Sequence, residues 1–266
     1  MKVTMKHFIF IICYLLFWTA TTQGAVQGTE VEYPAGESVL KGYLAFDDSI
    51  QGKRPGILVV HEWWGHNPYA RKRADMLAEL GYTALAVDMY GDGRTASHPK
   101  DAAIFSGEVK KNIPMARERF IAAIKLLQKE PTVDKEKISA IGYCFGGGVV
   151  LEMARSGLDL DGVASFHGSL TTENPARPGV VKAKVLVLNG EDDPFVKAEQ
   201  IEAFKKEMDA VGISYRFINY PGAKHSFTNP DADTFGKKFN LPLAYSPEAD
   251  QLSWQAMQDF FNEIYK

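Results

Sequence analysis

Cysteine is nearly absent from this chain of 266 residues, which has two, Cys13 and Cys144. A framework of disulfides is therefore excluded. A long apolar run is missing as well: Phe8 to Ala20 is too short for a comfortable membrane span. Lys2, Lys6 and His7 precede that run, and small and polar residues follow it through Gly24 and Ala25. The pattern is that of a secretory signal peptide over residues 1–24, so the expectation is an exported protein, periplasmic or secreted, with no stable membrane insertion after cleavage. Excess basic charge is also lacking, because 30 Lys and Arg stand against 33 Asp and Glu for a net charge of −3. Loss of Lys2 and Lys6 with the signal would make the mature chain more acidic still, which argues against nucleic acid as a partner. Cleavage would also remove Cys13 and leave Cys144 alone. A lone cysteine in an oxidising compartment needs a reason other than cross-linking.

At 45% hydrophobic residues the chain can bury a sizeable core, and residues 25–266 are expected to form one α/β domain. Partial alternation from Val39 to Phe46 suggests an early antiparallel strand, and the unbroken run Gly56 to His61 a buried parallel one. Helical spacing over Arg71 to Leu80 precedes a strand at Tyr82 to Val87, and Ile113 to Gln128 forms a long amphipathic helix. Later strands are expected at Val163 to Phe166, Val185 to Leu188 and Tyr215 to Ile218, with helices at Glu199 to Val211 and Pro247 to Tyr265. Strands that alternate with helices imply a mostly parallel sheet covered on both faces. The segment Thr228 to Ser246, rich in Asn, Asp, Pro and Gly, is long for a plain connection and is expected to lie over the site.

Cys144 sits in Gly142-Tyr143-Cys144-Phe145-Gly146, after the apolar run Ile138 to Ile141 and before a helical stretch from Gly147 to Arg155. Gly-x-nucleophile-x-Gly at a strand-to-helix turn has a steric cause: the apex residue is strained and its neighbours have no room for a Cβ. An acid in Gly190-Glu191-Asp192-Asp193 and a histidine in Gly222-Ala223-Lys224-His225 follow in chain order, each just past an apolar run. Nucleophile, acid, histidine is the α/β-hydrolase order, and all three fall at carboxyl ends of expected strands, where open α/β sheets place their sites. A thiol attacks as thiolate, so a neighbouring imidazole both activates it and returns the proton; His225 is the candidate. Asp192 and Asp193 compete to orient that imidazole, and the spacing Gly190-x-x-Asp193 favours Asp193. The oxyanion is expected to meet the backbone N–H of Phe145 and that of Trp63, in the loop after the first buried strand. In that loop, His61-Glu62-Trp63-Trp64-Gly65-His66 places its histidines five apart with a glycine between, which does not suit a metal; no metal and no cofactor is expected. Glu62 stands out because a carboxylate beside a thiol opposes thiolate formation.

These motifs resemble the dienelactone hydrolase family of cysteine-dependent α/β-hydrolases, from about Leu40 onward. The resemblance implies a Cys144–Asp193–His225 triad, a Glu62 that keeps the resting thiol protonated, and cleavage of a small-molecule ester or lactone through a thioester. It also implies two arginines that grip a substrate carboxylate. Arg94 stands in place for the first, but Ser226-Phe227-Thr228-Asn229 offers none for the second, so neutral substrates are expected to do at least as well as carboxylated ones. Trp63, Trp64 and Tyr143 are expected to wall the pocket, and a monomer is expected. Two rival readings are a catalytically silent binding protein on the same scaffold and a redox-sensing thiol, the latter short of a resolving cysteine.

Overall fold

The computed structural model describes residues 26–266. The expected signal peptide and Cys13 lie outside the described residues. Eight strands form one sheet in the order β1-β2-β4-β3-β5-β6-β7-β8. β1 (Val26–Ala35) and β2 (Ser38–Asp47) make an antiparallel hairpin that joins the edge of β4 (Thr83–Val87). From β4 inward the pairing is parallel, through β3 (Arg54–Val60), β5 (Val133–Tyr143), β6 (Gly162–Phe166), β7 (Lys184–Gly190) and β8 (Tyr215–Tyr220). The central strands are rich in Val, Ile, Leu and Ala because both faces are covered.

On one face, Ala70 and Leu77 of α1 (Pro68–Glu79) join Met257, Phe260 and Phe261 of α7 (Pro247–Ile264) against Ile57, Val59 and Ile141. On the other, Phe120 of α3 (Ile113–Leu127), Val150 of α4 (Phe145–Arg155) and Phe204 of α5 (Ala198–Ala210) close over Leu58, Val60, Ala140 and Val163. Two helices were not expected from the sequence: α2 (Pro99–Lys111), capped by the His98 side chain, and the short α6 (Ala232–Phe239) inside the Thr228 to Ser246 segment. The edge strand β1 was not expected either. Apart from these additions, the expected alternation of strands and helices is the one observed.

The turn from β5 into α4 sets the position of the site. Cys144 adopts φ 53 and ψ −113, a conformation that costs a side-chain-bearing residue about 1–3 kcal/mol. Space around the turn is closed by backbone: a Cβ on Gly142 would lie 2.1 Å from the Gly146 carbonyl oxygen, and one on Gly146 2.3 Å from that of Val60. A Cβ on Gly148, one turn further on, would meet only Ser169 at 3.5 Å, an ordinary contact. Gly146→Ala is therefore expected to lower stability by about 3 kcal/mol, as overpacking against a rigid backbone does. Gly148→Ala should be neutral or raise stability by about 0.5–1 kcal/mol through helix propensity. Urea unfolding of the two variants checks the contrast, and equal losses would contradict it.

Candidate active site

The elbow lifts Cys144 above the carboxyl edge of the sheet, and two neighbouring loops bring the other groups to it. The turn after β7 carries Asp193, and the loop after β8 carries His225. His225 Nε2 lies 3.0 Å from Cys144 Sγ, and His225 Nδ1 lies 2.7 Å from Asp193 Oδ2. The second oxygen of Asp193 accepts from the Phe195 N–H at 2.8 Å, which fixes the carboxylate plane. Asp192 is exposed while Asp193 is buried against His225, the acid that the spacing favoured. Phe195 stands edge-on to the His225 ring with centroids 5.0 Å apart.

Burial would push the His225 imidazole down, but the adjacent Cys144 sulfur and the hydrogen bonds the ring makes to Asp193 and Cys144 outweigh it and raise the ring from 6.5 to about 10. At neutral pH the imidazole is therefore held protonated against the sulfur.

Glu62, at the end of β3, is 1% exposed, and burial raises its carboxyl above the ordinary range despite two donors. Those donors are Ser226 Oγ at 3.0 Å and Asn229 Nδ2 at 2.6 Å, both on the His225 loop. Glu62 thus ties that loop to the sheet in this conformation, while Cys144 is engaged with His225; the expected Glu62–thiol contact is not formed here.

His167 has a part that sequence reasoning did not find. It follows β6 with a positive φ of 41 and is fully buried. Its Nδ1 accepts from the Cys144 N–H at 3.1 Å, a donor shared with the Phe166 carbonyl at 3.0 Å. Burial, together with the nearby charges of His225 and Arg73, pushes His167 well below the usual histidine range, so the ring is neutral. With Nδ1 accepting, Nε2 carries the hydrogen and donates to Thr228 Oγ1 at 2.8 Å. Arg73 completes the brace by donating to the Thr228 carbonyl at 2.7 Å and to Asp250 of α7 at 2.6 Å. These contacts span long stretches of chain, so no local motif signals them.

The sulfur opens into a cavity of about 320 Å³ with Trp63, Phe195, Val196 and Leu243 on its apolar side and Lys110 and Ser169 among its polar groups. Three expected substrate contacts are corrected. Tyr143 points to the other face of the sheet, stacked on Phe166 at 4.6 Å and fully buried, because side chains alternate along β5. Trp64 is 3% exposed and packs behind the site on Phe235 of α6 at 4.7 Å. Arg94 is turned away: its guanidinium donates to the Tyr90 carbonyl and to Glu108 at 3.0 Å and lies over the Phe105 ring. The cation at the cavity is Lys110, from the unexpected helix α2. Phe145, as the first residue of α4, has an N–H with no intrahelical partner, and Trp63 keeps its side chain at the cavity while its carbonyl accepts from Tyr90. Among the described residues no group of three potential ligands could hold a metal, and no helix is long and apolar enough to cross a membrane.

A mostly parallel sheet with the thiol at a strand-to-helix elbow and an Asp–His pair on the loops beyond defines an α/β-hydrolase. The dienelactone hydrolase family profile matches residues 40–265, and the chain belongs to that family. It is a carboxylic ester hydrolase. An Aquifex aeolicus protein named "Putative carboxymethylenebutenolidase" is 25% identical over 246 residues, which covers 90% of this chain and 100% of that protein. A solved dienelactone hydrolase-like promiscuous phosphotriesterase from metagenomic libraries is 35% identical, with a TM-score of 0.85 over 91% of this chain and 100% of its own. A dienelactone hydrolase from Anabaena variabilis, 23% identical, shares the fold with a TM-score of 0.59 over 80% of this chain and 94% of its own.

The raised His225 imidazole couples stability to pH. The folded state holds a proton that an unfolded histidine releases near 6.5, so the stabilisation is complete below that pH and is lost as pH climbs through about 10. Thermal melts of wild type and His225→Gln should converge between pH 6.5 and 10; a gap that stays constant or widens would contradict the assignment.

Proposed function

We propose that the chain hydrolyses an ester or lactone through a thioester on Cys144, and the observation that carries this reading is the continuous chain Sγ···Nε2 and Nδ1···Oδ2 at 3.0 and 2.7 Å. The sulfur attacks the carbonyl carbon, a C–S bond forms, and the carbonyl π pair moves to oxygen, where the N–H groups of Phe145 and Trp63 receive it. Collapse of this intermediate breaks the C–O bond, and His225 gives its proton to the departing alkoxide. His225 then takes a proton from water, which attacks the thioester and releases the acid and the sulfur. Asp193 keeps the ring aimed and stabilises its charged form.

Glu62 belongs to the same proposal as a gate. A swing of its carboxylate from Ser226 and Asn229 toward the sulfur would oppose thiolate formation and quiet the thiol in the absence of substrate. The proposal takes residues 25–266 as the hydrolase domain and residues 1–24 as its export signal, supported by the Lys2 and Lys6 charges before the apolar run.

A panel of short esters and lactones on the purified protein tests the activity. Cys144→Ala should reduce kcat by about a thousandfold or more with the fold intact, since an apex side chain supports little packing. Circular dichroism checks the fold. An alanine variant that kept most of the activity would remove the cysteine from the mechanism.

A further inference from the structure

The elbow's glycines divide into those the fold requires and one it does not. Backbone closes on Gly142 and Gly146, and Gly147 is held between Ser165 and Gly168, where a Cβ would fall 2.6 Å from Ser165 Oγ. Gly148 has no such neighbour; a side chain there would stand in ordinary contact with Ser169. Glycine inside a helix is destabilising by about 0.5–1 kcal/mol relative to alanine, so packing gives no reason for it.

A reason lies in the space that Gly148 helps to wall. It lines a second cavity of about 590 Å³, between the α2–α3 junction, the first turns of α4 and the loop after β6. Lys110, Phe145 and Ser169 line both this cavity and the one that holds Cys144, so the two are adjoining compartments of one cleft. The first, at about 320 Å³, has room for a small lactone or a short ester; their combined space suits something longer.

The second compartment has a mixed wall: Val109, Ile113, Pro114, Val149 and Met153 supply apolar surface beside polar groups whose charges balance. Ser169, Thr171, Thr172 and Asn174 offer hydroxyl and amide groups, while Lys110 and Lys111 are matched by Glu152 and Glu173. Such a wall pairs with a neutral arm that carries hydroxyl or amide groups on an apolar stem.

We infer that the cleft takes an elongated ester whose distal arm is uncharged and hydroxyl- or amide-bearing, that this arm occupies the compartment between α2, α4 and the 169–174 loop, and that the missing side chain of Gly148 leaves it room there. The inference rests on the ester-hydrolase reading and adds the substrate's shape and polarity. Contacts to a remote arm act on kcat/KM, so truncation should be felt there.

The test compares phenyl acetate with two neutral esters carrying a tri(ethylene glycol) arm that ends in a hydroxyl, one on the acyl side and one on the alcohol side. At least one extended ester should exceed phenyl acetate in kcat/KM by about tenfold in wild type. In Gly148→Leu, whose side chain takes up part of the compartment, that ratio should fall by about fivefold or more. Thr171→Trp, which fills the compartment from an exposed loop, should lower the ratio in the same way and decides the matter if the leucine variant does not fold. No advantage for either extended ester, or an advantage that survives in the folded variants, would overturn the inference while hydrolysis of phenyl acetate leaves the ester-hydrolase reading standing. Turnover of none of the three esters would defeat both.

Discussion

The Cys144 N–H and its two acceptors hold the rest of the site in place. A residue at φ 53 and ψ −113 stays there only when its surroundings over-determine it, and here the Phe166 carbonyl and His167 Nδ1 both take the same donor. Of the five non-glycine residues with positive φ among the described residues, Cys144, His167 and Ser226 all belong to this cluster. Strain is concentrated where the sulfur, the acceptor beneath it and the loop carrying His225 meet. That concentration is what allows a thiol to project from the sheet edge in one orientation.

The loop after β8 is the second member of the cluster, and it is held from three directions. Glu62 receives Ser226 and Asn229, His167 donates to Thr228, and Arg73 donates to the Thr228 carbonyl. His225 sits at the head of this segment, so the position of its imidazole depends on contacts made one to four residues later in the chain. The Arg73–Asp250 pair extends the brace to α7, with both side chains largely buried at 4% and 17% exposure. Loss of either partner would leave an uncompensated charge beneath the active-site loop, the costly half of a buried ion pair.

Legibility from the sequence followed the range of the interaction. The elbow could be read because strand, glycine spacing and helix are local and sterically obligatory, and the acid and histidine could be read because each follows a buried parallel strand. Helix α2 escaped because its start, His98-Pro99, uses a histidine cap and its course carries Gly107 among charged residues; with it went Lys110. Helix α6 is only eight residues long and lies in a stretch whose Asn, Asp, Pro and Gly read as loop. β1 is mostly exposed and alternates only over Val31 to Ala35, so its pairing with β2 supplies the order that the rest of its pattern lacks. His167 and the orientation of Arg94 depend on partners far along the chain. Tyr143 was misplaced for a different reason: its neighbour Cys144 leaves the strand at the turn, while Tyr143 still obeys the strand's alternation.

The central claim is that the cysteine sulfur forms a covalent acyl intermediate. Rapid acid quench during turnover of a slow ester, followed by intact mass and peptide mapping, reads it directly. The account predicts a single added acyl mass on the peptide containing Cys144, released by hydroxylamine at neutral pH as a thioester is, and absent from the Cys144→Ala protein. An acyl group mapped to another residue, such as the neighbouring Ser169, or steady turnover by Cys144→Ala at the wild-type rate, would contradict it.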